Sequence, residues 1–123
     1  MRASKGKHSR TIDTMVNRLV DSNTNYALIR TEEKFHNPNS GRDGECDIYA
    51  IYKTPKVKYL LVFEVKSSYS GKNDRKSEYQ CTKDVNYYSK RYKTDRAFRF
   101  QVYGSRKDDG VSINWLRKPL IKI

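Results

Sequence analysis

Two apolar runs separated by a short polar stretch dominate the middle of this chain, and each contains an acid. Cys46 to Tyr52 and Tyr59 to Lys66 are rich in β-branched and aromatic residues, and Lys53-Thr54-Pro55-Lys56 lies between them. Runs of this composition and length read as strands, and the polar stretch reads as a turn, so the segment predicts a hairpin of two buried strands. Side chains alternate across a strand. Glu64 and Lys66 therefore share one face with Leu60 and Val62, while Tyr59, Leu61, Phe63 and Val65 take the other. A carboxylate set into such a surface costs several kcal/mol of desolvation unless a cation or hydrogen bonds compensate it. If Asp47 lies beside Glu64 on the neighbouring strand, two acids converge, and a divalent cation relieves their repulsion most simply. Lys66, on the same face as Glu64, can then contact a water or a scissile phosphate bound to that ion. The purely structural alternative is a Glu64–Lys66 ion pair at a frayed strand end. Glu45 shares a face with Asp47 and is a rival ligand.

At 123 residues the chain makes one domain spanning 1–123, with a single core. Its 26 Lys and Arg against 14 Asp and Glu leave a net charge of +12, which points to a polyanionic partner, nucleic acid first. An acidic protein would also answer the charge, but gives no reason for acids inside strands. There is no basic amphipathic helix with a bulky apolar face, no apolar run near the ~20 residues of a membrane span, and no signal-like N-terminus. The expectation is a soluble, intracellular protein without a membrane partner, in the cytoplasm of a prokaryotic cell or a virus-infected host. Cys46 and Cys81 stand apart and read as reduced packing residues. His8 and His36 are isolated and read as solvated, which argues against zinc.

Residues 1–8 read as a flexible basic arm. From Ser9, a plausible N-cap, Ile12, Met15, Val16, Leu19 and Val20 fall on one helical face, with Asp13 at its margin. Tyr26 to Arg30 reads as a strand. Thr31 to Gly44 is polar, lacks an apolar period and reads as a long functional loop. Beyond a linker at 67–73, a second helix is expected from Asp74 or Ser77, with Ser77 and Gln80 as a capping box and Cys81, Val85, Tyr88 and Tyr92 as its apolar stripe. Ala97 to Tyr103 and Val111 to Trp115 alternate as half-buried strands, and 117–123 forms a tail. The fold class is α/β, a small mixed sheet of about five strands flanked by two helices in the order αβββαββ. Candidate phosphate contacts are Lys5, Lys7, Arg10, Arg30, Lys34, Arg42, Lys72, Lys76 and Lys83.

This order, with Asp47, then Glu64-Val65-Lys66, then a helix bearing Gln80, resembles the PD-(D/E)XK nuclease superfamily, and within it the archaeal and archaeal-virus Holliday junction resolvases. Cys46 stands where that family usually has proline, and Asp13 where its first helix carries glutamate. The resemblance implies a restriction-endonuclease-like core and a metal-dependent endodeoxyribonuclease of DNA recombination and repair. By the same resemblance Mg²⁺, with Mn²⁺ as substitute, is held by Asp47, Glu64, the Val65 carbonyl and Asp13. Lys66 then orients a water or stabilises the phosphorane, Gln80 positions Lys66 or a phosphate, Ser40 supports cutting, and Arg30 and Lys7 grip the strand. Symmetric resolution of a branched DNA implies a homodimer. A nicking or restriction-type nuclease on duplex or single strands, and a nucleic-acid-binding protein without chemistry, are the competing readings.

Overall fold

A computed structural model of the chain describes residues 6–22, 26–38, 41–66, 71–104 and 111–115. Its elements are α1 (Lys7–Ser22), β1 (Tyr26–Asn37), β2 (Arg42–Lys53), β3 (Lys58–Lys66), α2 (Gly71–Tyr92), β4 (Arg96–Gly104) and β5 (Val111–Trp115). Four long strands and a short fifth form one sheet in the order β1-β2-β3-β4-β5, with β3 and β4 parallel and every other pair antiparallel. The parallel pair follows from α2, which carries the chain from the end of β3 back to the start of β4. This is the mixed α/β arrangement expected from the sequence.

Each helix covers one face of the sheet. Ile12, Met15 and Leu19 of α1 pack on Ile48, Ala50, Leu61, Phe63, Val65, Phe100 and Val102. Cys81 and Tyr88 of α2 pack with Phe35, Cys46, Tyr49, Ile51, Leu60 and Val62 on the opposite side. Consecutive residues of β3 thus feed different layers, which is why the strand reads as continuously apolar. Among the described residues no helix is long and apolar enough to cross a membrane.

The structure revises three boundaries. The stretch expected as a long loop is a β-hairpin: β1 runs on to Asn37 and β2 begins at Arg42. The turn is closed by the Gly41 N–H donating to Asn37 O (2.8 Å), with Gly41 at φ 69°. β1 is an edge strand whose Glu32, Lys34 and His36 are exposed, so it shows no apolar period, and pairing with β2 holds it in place. Helix α2 starts at Gly71, ahead of the expected cap, and α1 takes up Lys7 and His8 from the expected arm. Residues 1–5, 67–70 and 117–123 lie outside the described residues.

Phe35 is the anchor of the extended hairpin. Its ring stacks on Tyr87 of α2 with centroids 4.2 Å apart, and it lies directly over Gly44, its partner across the ladder. A Cβ at Gly44 would overlap the Phe35 ring. Gly44→Ala is therefore expected to displace Phe35 and destabilise the fold by about 1–3 kcal/mol, the usual cost of overpacking. A lowered thermal midpoint by circular dichroism, with the far-ultraviolet spectrum unchanged, is the check.

Candidate active site

The β2–β3 ladder runs from Lys53–Lys58 to Ile48–Phe63, so Asp47 and Glu64 are the next residues of the two strands beyond the last pair. Where the ladder ends, the Val65 N–H would lack a strand partner. The Asp47 side chain supplies one, its Oδ2 accepting from Val65 N at 2.8 Å. The same level of the sheet is distorted. Cys46 belongs to the α2 layer and Ile48 to the α1 layer, although simple alternation would put them on one face. Glu32, on the adjacent strand between the residues paired with Cys46 and Ile48, has φ 50°. Such irregularities re-aim side chains at sheet margins, and this one directs Asp47 toward the end of β3.

Both acids are withdrawn from solvent, Asp47 at 7% and Glu64 at 3% relative exposure. Burial, and then the charge of Asp47, push the Glu64 carboxyl up to about 9, against an opposing pull from Lys66. Glu64 Oε2 is buried without a hydrogen-bond partner. Lys66 Nζ lies 3.5 Å from Glu64 Oε1 and donates to Gln80 Oε1 at 3.2 Å. A strand acid, its i+2 lysine and a glutamine from the following helix are thus joined in one line.

Two further residues enter that the sequence did not single out. His8 of α1 donates from Nε2 to Val65 O at 3.1 Å and lies 3.6 Å from Asp47 Oδ2, so it is not merely solvated. Asp84 of α2 is fully buried, and neither of its oxygens has a hydrogen-bond partner. The Cys46 thiol beside it is directed at Ile48 O (3.4 Å). Burial, together with the charge of Asp47, pushes Asp84 up to about 7, with Cys46 and Lys83 pulling against it. Its helical spacing from Gln80, one turn, was the available signal, but a buried polar face is indistinguishable from a solvated one until the helix is docked. Cys46 and Cys81 are free and buried, and burial pushes both thiols up.

The remaining candidates are dispersed. Asp13 is exposed on α1, and Glu45 is exposed opposite Lys34 of β1. Arg10, Arg30 and Lys34 are exposed, and Lys83 Nζ donates to Asp43 O at 3.5 Å. Lys5 and Ser40 lie outside the described residues, as do the side chains of Lys7, Arg42, Lys72 and Lys76. His36, the second histidine, pairs with Asp43 at 2.6 Å on the hairpin.

Among the described residues no three His, Cys, Asp or Glu side chains form a metal-binding group. The donors that converge here are two carboxylates and a main-chain carbonyl, hard oxygen ligands of the kind Mg²⁺ and Mn²⁺ take. The orphaned Glu64 Oε2 is consistent with such an ion. No family model matches this chain, and no curated protein matches it.

Glu64 gives a pH signature. Its folded-state affinity for a proton exceeds that of the unfolded chain, so it stabilises the metal-free fold below its ordinary value of 4.5, and that contribution is lost as pH rises toward about 9. The thermal midpoint measured in chelator should fall across this window. Glu64→Gln should flatten the fall and melt higher than the native chain at the alkaline end. An unchanged pH profile in the variant would show that Glu64 is solvated.

Proposed function

We propose that this chain is a metal-dependent DNA endonuclease hydrolysing phosphodiester bonds, and more finely a structure-selective resolvase of four-way junctions. The observation that carries the reading is the pair of buried acids, Asp47 and Glu64, on adjacent strands where their pairing stops, with Lys66 tethered to Gln80 beside them. Nothing in a sheet core calls for two such acids. An exterior of net charge +12 supplies the attraction for a phosphate backbone.

In this reading Asp47, Glu64 and the Val65 carbonyl hold Mg²⁺ or Mn²⁺, which when bound lowers the pKa of a water and polarises the phosphoryl group. Asp47 is fixed in orientation by the Val65 N–H, which donates to its Oδ2. Lys66 is 19% exposed at its side chain, enough to meet a phosphate oxygen, and Gln80 restrains the ammonium by accepting a hydrogen bond from it. There it offsets negative charge that grows on the phosphate as the water attacks. Burial of Glu64 keeps bulk water from competing for the same donors. Cutting a junction symmetrically takes two such centres, so activity on junctions entails a C2 homodimer.

A second reading, a binder without chemistry, is favoured by the same contacts: His8 faces Asp47, and the Lys66 ammonium lies beside Glu64, so each acid has a partner within the fold. The two readings separate in a cleavage assay on a labelled four-way junction and a matched duplex. With Mg²⁺ the native chain should cut the junction. Asp47→Asn and Glu64→Gln should abolish cutting while DNA binding stays equal or tightens, since each removes negative charge facing phosphate. Lys66→Ala should slow cutting by roughly 10²-fold or more, as loss of an electrostatic stabiliser does. Binding that falls steeply with salt and no cutting with either metal would establish the second reading.

A further inference from the structure

The side chain that α1 brings to Asp47 is an imidazole. His8 Nε2 lies 3.1 Å from Val65 O and 3.6 Å from Asp47 Oδ2, so three donors from three different elements surround one small volume. Neighbouring donors of an octahedral ion with bonds of about 2.1 Å stand roughly 3 Å apart. The two spacings at His8 match that edge or exceed it slightly, so the three donors are spaced to share one ion. Glu64, whose charge acts on Asp47's side of the site, keeps its Oε2 partnerless in a residue 3% exposed.

Resting on the nuclease reading, we infer that His8 is a ligand of the catalytic metal, giving a mixed nitrogen and oxygen site that selects Mn²⁺ or a similar transition ion over Mg²⁺. In the ion-free state the Nε2 proton is donated to Val65 O. On binding, the proton resides on Nδ1 and the Nε2 lone pair is directed to the ion, with no net change in the charge of the ring. Imidazole suits transition ions, while Mg²⁺ favours carboxylate, carbonyl and water, so one nitrogen among the donors shifts preference away from it. The α1 contribution is then His8 in the first turn, half-exposed and one turn ahead of the buried Ile12, and the exposed Asp13 is left to other work.

The chain has two histidines, His8 and His36, and His36 on the β1–β2 hairpin is a built-in control. Mn²⁺ alone is added to the native chain, to His8→Gln, to His36→Gln and to Asp47→Asn, and binding is followed by calorimetry and by electron spin-echo modulation from ligand nitrogen. Native protein and His36→Gln should show histidine nitrogen on Mn²⁺. His8→Gln should lose that signal, bind Mn²⁺ about tenfold or more weakly, and lose preference over Mg²⁺, with its circular dichroism unchanged. Bound Mn²⁺ with no nitrogen signal in the native chain, or a signal that survives in His8→Gln, overturns the inference and leaves the oxygen site standing. Absence of Mn²⁺ binding in the native chain, or full binding by Asp47→Asn, overturns the nuclease reading itself.

Discussion

The hydrogen bond from Val65 N to Asp47 Oδ2 is the contact on which the rest of the site depends. It replaces a ladder bond where β2 and β3 cease to pair, so the sheet ends without leaving a buried N–H unsatisfied. The same bond fixes the Asp47 carboxylate beside Glu64, on the neighbouring strand at the same level. Burial disfavours the charged form of Glu64, and the neighbouring charge of Asp47 adds to it, which is the physical origin of the raised Glu64 affinity for protons. A cation or a shared proton resolves the conflict, and Lys66 and His8 stand at its edges.

The α2 side of the sheet explains why this arrangement is held still. Tyr49 and Tyr88 stack with centroids 3.9 Å apart. The Tyr49 hydroxyl donates to Glu33 at 2.9 Å, and the Tyr88 hydroxyl to the same carboxylate at 3.3 Å. Arg91 of α2 pairs with Glu33 at 3.4 Å. Burial pushes both tyrosine hydroxyls up, which keeps them protonated as donors. The helix is thereby tied to β1 and β2 through Tyr88 and Arg91, one turn apart. Gln80 and Asp84 are carried on the same rigid helix, so their approach to Lys66 and to the acid pair follows from the packing of aromatic residues further along it.

Charge is distributed in two tiers. The outside is positive, with Arg10, Arg30 and Lys34 exposed, while Asp47, Glu64 and Asp84 are all inside. A positive exterior attracts a polyanion over distances near the Debye length, of about 8 Å at physiological salt. The buried acids act only at contact. Asp84 is fully buried with both oxygens orphaned, so among the described residues its desolvation is offset by no hydrogen bond that its oxygens accept.

Much of this was legible from the chain alone. The alternation of Tyr59 to Lys66 placed Glu64 and Lys66 on one face, and the helical stripes of α1 and α2 supplied the two cover layers. The juxtaposition of Asp47 with Glu64 could be written as a condition, because adjacent strands of a hairpin put facing residues in reach. The extent of β1 could not be read, since an edge strand satisfies its backbone by pairing and needs no apolar period of its own. Nor could His8 or Asp84. Each looks like a solvated polar residue until α1 and α2 dock, and only docking turns one toward the Asp47–Val65 corner and seals the other from water. Local sequence determines which residues alternate and which repeat, because those are properties of a single strand or helix. Which side chains meet across elements was decided by tertiary packing, because it alone sets the distance between atoms remote in the chain.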